Sequence, residues 1–316
     1  MAAVIAGDGP DAGVAWHHGD PMGEQRALEA GEGVVDLSHR GVLTVSGPDR
    51  LSWLHSLSTQ HLENLQPGES TTILLLGPTG HIEHALLAVD DGEMLWAHTE
   101  PGRAAAATAF LDSMRFMLRV EVADRTDQLA VVWQPGEPPA GRVTRTGEDS
   151  LGGFESFIPR GHLDDYLAQA GRPVGTWAYE ARRIAAGVPR IFLDTDERTI
   201  PNEIGLYGTH LEKGCYRGQE TVARVHNLGR PPRRLVLLHL DGSTDALPEL
   251  GAELTLDGKT VGAIGTSARH HELGPIGLGL VKRKVDTEAT LLTGDITASQ
   301  EPLVDPEVGL HFRARL

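Results

Sequence analysis

Hydrophobic and polar positions change texture along the chain. The first thirty residues are rich in Gly, Ala and acidic side chains, and the first regular element is expected over 22–30. From Val42 the alternation becomes regular. Residues 42–46 follow the two-residue period of a strand, and Gly47-Pro48-Asp49 is a turn that can cap a helix over 50–57. Residues 71–76 and 81–89 are apolar runs of strand length, separated by the hairpin-type loop Gly77-Pro78-Thr79-Gly80. A further strand over 93–98 follows the Asp91-Gly92 turn. Residues 103–117 predict a helix with Ala107, Phe110, Leu111 and Met114 on one side, and 118–123 a strand. The order β-α-β-β-α-β over 42–125 is that of a ferredoxin-like unit.

A second α+β stretch follows, with strands expected over 129–133 and 154–158 and helices over 161–170 and 176–186. Gly187-Val188-Pro189 stops the last helix. Beyond Pro231-Pro232 the texture shifts to short strands at 234–239, 253–256, 260–267, 276–281 and 289–293, broken by Gly, Pro and Asp. That spacing predicts a small β-barrel and a domain boundary near residue 230.

Length and composition narrow the class. A chain of 316 residues has room for two or three domains with substantial cores. One cysteine, Cys215, excludes an internal disulfide, a CxxC redox pair and a self-contained zinc or iron–sulfur site, each of which needs more thiolates. A net charge of −16 argues against a broad nucleic-acid-binding surface. No apolar run approaches the ~18–20 residues that span a bilayer, and the N-terminus resembles no targeting peptide, so a cytoplasmic protein with no membrane partner is expected.

Residues 180–234 stand apart: ten basic residues against seven acidic ones make a local +3, leaving −19 elsewhere. Such a patch suits a small anionic ligand better than a long polyanion, although a run of charge also suits a plain solvated face. Within it lies Lys213-Gly214-Cys215-Tyr216-Arg217-Gly218-Gln219-Glu220. The glycines permit tight backbone geometry, and a helix over 219–226 would place Cys215 just before its positive end, between Lys213 and Arg217. That setting favours a thiolate. A lone cysteine equally suits a small buried apolar position.

These residues resemble the K-G-C-Y-x-G-Q-E signature of the YgfZ branch of the YgfZ/GcvT folate-binding family, at seven positions. Further blocks resemble the same family: Gly33 to Ser38 with Ser46 to Asp49, Arg183 to Pro189, Ile200 to Glu203, and Gly262 to Ser267 with Gly277 to Val281. The resemblance implies an α+β, three-domain ring around a central folate channel. Its discontinuous first domain would take residues 1–41 and 126–230, its ferredoxin-like second domain 42–125, and its C-terminal β-barrel 231–316.

It further implies a tetrahydrofolate-binding accessory protein that supports iron–sulfur cluster assembly or repair of client enzymes, including tRNA-modifying ones. The expected cofactor is tetrahydrofolate or a one-carbon derivative, and the expected partners are iron–sulfur client or assembly proteins. Cys215 and Lys213 would serve the chemistry. Arg183, Glu203, Tyr216, Arg217, Gln219, Glu220 and Arg224 would bind folate, with Trp177 and Tyr207 as further stacking candidates. No resident metal is expected, the adjacent His270-His271-Glu272 included. Against the related aminomethyltransferases (T-proteins), His84 and Ala85 stand where that resemblance places an Asp-Asp pair, and Ala185 stands for a pterin-reading glutamate. Ordinary glycine-cleavage transfer is therefore expected to be lost. A folate-dependent aminomethyl- or methyltransferase and a non-catalytic protein scaffold stay open as alternatives.

Overall fold

The computed structural model describes residues 3–227, 230–243 and 245–306; residues 307–316, at the end of the expected barrel segment, lie outside them. The chain divides into two compact units, one of residues 1–74 and 84–179, the other of residues 75–83 and 180–316.

The first unit is built on two sheets. Strand-like alternation around 42–125 produces a five-stranded sheet in the spatial order Ser70–Leu76, Ile82–Asp90, Met94–Thr99, Gly41–Ser46, Glu121–Asp124. Gly41–Ser46 pairs antiparallel with both Met94–Thr99 and Glu121–Asp124. Apart from the edge strand Ser70–Leu76, this is the antiparallel order of a ferredoxin-like sheet, with helices Arg50–Leu57 and Ala104–Met114 as its connections. The second sheet runs Thr144–Arg145, Gly153–Pro159, Leu129–Pro135, Val34–Asp36, Pro173–Val174. Val34–Asp36 pairs with Leu129–Pro135 on one side and Pro173–Val174 on the other. One sheet thus joins Val34–Asp36 to strands that follow residue 128 in the chain.

Helix Leu163–Gln169 covers that sheet, packing Leu163, Tyr166 and Leu167 against Val34, Val132 and Ile158. The Gly- and Ala-rich start, expected to be irregular, instead forms a two-stranded ribbon of Val4–Ile5 and Ala15–His17. Trp16 from that ribbon stacks on Trp177 at 4.6 Å, a ring contact that sequence spacing does not reveal.

The second unit holds a closed six-stranded barrel: Arg233–Leu240, Gly274–Lys282, Lys259–His270, Glu253–Leu256, Leu291–Thr293, Ile296–Pro302. Five of these correspond to expected strands. The sixth, Ile-Thr-Ala-Ser-Gln-Glu-Pro, is too polar to read as a strand, yet it closes the barrel by pairing with Arg233–Leu240 and Leu291–Thr293. Its inward residue Ala298 is fully buried in a core of Val236, Leu238, Leu254, Ile264, Val281 and Leu291. Arg234 is also interior, donating to the carbonyls of Arg283 and Val285 and to Gln300 Oε1. Helix Gln219–Asn227 packs beside the short 3-10 turn Pro201–Ile204.

Candidate functional site

The signature stretch is a loop of mixed buried and exposed residues leading into helix Gln219–Asn227. Cys215 is exposed, and a Cβ on Gly214 would meet nothing within 4 Å. Lys213, by contrast, is buried, its ammonium 5.0 Å from the centroid of the Tyr216 ring in a cation–π contact. Tyr216 is buried too, which pushes its hydroxyl pKa up. Its carbonyl accepts from the Gln219 amide at 3.2 Å, so ring and backbone together anchor the loop to the helix start. Gln219 is half-buried, while Glu220 and Arg224 are exposed on the helix.

Gly218 has a structural reason. Its φ is +79°, and a Cβ there would lie 2.6 Å from the Gly77 carbonyl oxygen and 2.9 Å from Gly80 Cα. Gly80, with φ +86°, approaches Thr221 so closely that a Cβ would sit 2.8 Å from that side chain. The tip of the hairpin 77–81 therefore lies backbone to backbone on the start of the signature helix. The Ile82 amide, donating to the Thr199 carbonyl at 3.0 Å, pins the same tip to the loop before Pro201–Ile204. Beside this contact Arg217 Nη1 lies 3.7 Å from Glu83 Oε2.

Two of the expected folate ligands, Arg183 and Glu203, are engaged by protein groups. Arg183 is buried, and all five of its N–H donors meet protein acceptors: Glu180, Asp194, the Val188 carbonyl and Thr266. Burial opposes its charge, but Glu180 and Asp194 outweigh that and raise its pKa. Asp194 also accepts from the Thr266 amide, at the bulge in barrel strand Lys259–His270. Arg183 thus joins helix Thr176–Ala185 to the barrel. Glu203 is fully buried and gripped at both oxygens by Arg233, at 2.8 and 2.9 Å. Arg233 also clamps Asp196 at 2.6 and 2.9 Å, and these bonds draw the Asp196 carboxyl down to about 2.

Three of the segment's ten basic residues are therefore occupied by protein carboxylates, in the pairs of Arg183 and Arg190 with Glu180 and of Arg233 with Asp196 and Glu203, and the net excess stays on the others. Charge counting missed this because it does not separate buried from exposed arginines. Asn202 was also passed over. It sits beside Glu203, is buried, and donates to the Val222 carbonyl at 3.2 Å, while its Oδ1 has no hydrogen-bond partner among the described residues. A buried acceptor without a donor is costly unless a ligand or water supplies one. Its sequence clue was its place between Pro201 and Glu203 in one of the quoted blocks.

Elsewhere, Ala85 is buried in its strand, and the His84 ring lies 5.1 Å from Phe110. His270 and His271 stack on each other at 4.8 Å, and His270 Nδ1 accepts from the Glu272 and Leu273 amides.

No family model matches the chain. Among solved structures, the glycine cleavage system aminomethyltransferase T of Bartonella henselae superposes with a TM-score of 0.78, covering 94% of this chain and 92% of that one at 20% identity. The chain has the aminomethyltransferase fold. Sequence relatives agree with that fold. An aminomethyltransferase of Nostoc sp. is 26% identical over 331 residues, covering 89% of this chain and 85% of the relative. A chloroplastic transferase-type protein of Arabidopsis thaliana is 28% identical over 305 residues, covering 84% of this chain and 69% of the relative. An iron–sulfur cluster assembly factor, the mitochondrial IBA57 homolog of Mycosarcoma maydis, is 27% identical over 228 residues, 65% of this chain and 56% of its own length.

Proposed function

We propose that this protein binds tetrahydrofolate or a one-carbon derivative and supports iron–sulfur cluster assembly or repair in client proteins through the Cys215 thiol. The observation that carries the reading is the exposed Cys215 on a loop anchored by Lys213, Tyr216 and Gly218, in a chain with the aminomethyltransferase fold. The likeness to an iron–sulfur cluster assembly factor supports the same direction. The donor set fits folate in part. Asn202 Oδ1 is an acceptor suited to a pterin N–H, and the half-buried Arg217 and exposed Arg224 are cations suited to a glutamate tail. Arg183 and Glu203, already engaged by protein, act as the frame behind them.

One thiol cannot hold a cluster alone, so its part is a single ligand or nucleophile shared with a partner. Cys215→Ala should leave the thermal midpoint and tetrahydrofolate affinity unchanged, and abolish restoration of iron–sulfur enzyme activity in a strain lacking the protein. Full restoration by the variant removes Cys215 from the function.

A second reading, transfer of a one-carbon or aminomethyl group, is favoured by the aminomethyltransferases among the relatives. It is opposed by Ala85 and Ala185 at the carboxylate positions. Incubation with methylene-tetrahydrofolate and aminomethyl-lipoyl carrier protein separates the two, since the accessory reading expects no transfer.

A further inference from the structure

Away from the signature, the first unit carries a cavity of its own. It is lined from strands Leu129–Pro135 and Gly153–Pro159, the loop after the former, and helix Leu163–Gln169. Its volume is about 420 Å³, within the ~300–1,000 Å³ of small-molecule sites. The floor is fixed by packing and hydrogen bonds. Tyr166 packs with Leu163 and Leu167 against Val34, Val132 and Ile158. Its hydroxyl donates to Gln134 Oε1, and Gln134 Nε2 donates to the Ala170 carbonyl at 3.1 Å. Phe154, buried, and Pro139, exposed, add apolar wall.

Two opposite charges line the same cavity. The guanidinium carbon of Arg142 lies over the Tyr166 ring, 4.5 Å from its centroid. Stacking through the face leaves the edge N–H groups free to take a carboxylate in the two-pronged manner of arginine. Glu137 is the second charge. Both side chains are exposed, and among the described residues neither forms an ion pair, with the other or with a third group. A site for a plain anion has no use for a carboxylate in its wall, and a site for a plain cation has none for a stacked guanidinium. A ligand that carries both charges a few atoms apart, on an apolar body, satisfies both and lies against Phe154.

We propose that this cavity binds a free α-amino acid with an apolar side chain: Arg142 takes the carboxylate, Glu137 takes the ammonium, and the side chain lies along Phe154 and Pro139. The site is separate from the signature and independent of the folate reading. Because both charges face solvent, its affinity is modest, with a Kd on the order of 1 mM.

The test is a ligand-observed NMR titration of the full chain with L-phenylalanine and L-leucine, alongside N-acetyl-L-phenylalanine, which lacks the ammonium, and phenethylamine, which lacks the carboxylate. Wild type should bind at least one of the two amino acids saturably, and more tightly than either truncated analogue. Arg142→Gln should weaken the amino acid about ten-fold, the scale of a lost charge-assisted contact, and leave phenethylamine unchanged. Glu137→Gln should weaken it about three-fold, the scale of one exposed ion pair, without weakening N-acetyl-L-phenylalanine. Both substitutions are at exposed positions, so an unchanged thermal midpoint confirms that each variant is folded. No saturable binding of either amino acid to wild type below about 10 mM overturns the proposal. So does binding that is indifferent to Arg142→Gln, or N-acetyl-L-phenylalanine binding as tightly as L-phenylalanine, which is the result expected of a peptide C-terminus.

Discussion

Arg233 shows how much one side chain decides. It neutralises Glu203, which is fully buried, and Asp196, which is partly exposed. Removing the guanidinium leaves a buried carboxylate without its counter-charge, so Arg233→Gln should cost about 3–5 kcal/mol at neutral pH. Urea unfolding measures this. The pH dependence has a definite sign. The Asp196 carboxyl is depressed to about 2 from its ordinary 3.8, so its stabilisation is complete above about pH 4 and is lost as pH falls through about 2. Wild type should lose stability across that window, and the variant should lack this component of the loss. Glu203 stood out in the sequence, but its partner did not, because nothing in a linear string pairs residue 203 with residue 233.

The hairpin tip and the signature helix make one tight backbone contact. Gly218→Ala must place a Cβ 2.6 Å from the Gly77 carbonyl oxygen in a left-handed conformation at φ +79°. It should destabilise by about 1–3 kcal/mol, read as a lower urea midpoint, whereas Gly214→Ala, with nothing within 4 Å, should be nearly silent. Both elements were legible. The Gly77-Pro78-Thr79-Gly80 turn chemistry and the helical composition from Gln219 fix each locally. Their meeting was not legible, since local chemistry states that a glycine is needed without naming the neighbour that requires it. The same limit explains Arg183. An arginine near the end of a helix reads as a surface cation, and only the turn carrying Asp194 together with Thr266 of the barrel strand makes it internal.

Across the whole molecule, the period-two and helical patterns located most strands and helices, and the barrel texture after Pro232 was clear. The closing strand Ile296–Pro302 escaped because only alternate residues face inward and the inward one is as small as Ala298. Its alternation can be tested directly. Ala298→Glu puts a carboxylate into the barrel core and should cost about 3 kcal/mol or more. Thr297→Glu, one residue away and exposed, should stay within about 0.5 kcal/mol of wild type by thermal or urea unfolding. Equal tolerance at both positions would show that the strand does not seal the core.

The hairpin tip also sets a timetable. Residues 75–83 belong with a unit whose remaining chain begins at residue 180, and the bond from Ile82 reaches forward to Thr199. During synthesis the tip emerges from the ribosome well before its docking surface exists, and at ~5–20 residues per second that gap lasts several seconds. In that interval Leu75, Leu76 and Ile82, all buried in the finished protein, have no partner from that unit. A nascent chain paused before residue 221 should therefore be the species most dependent on chaperones, with release from that dependence coinciding with arrival of the signature helix.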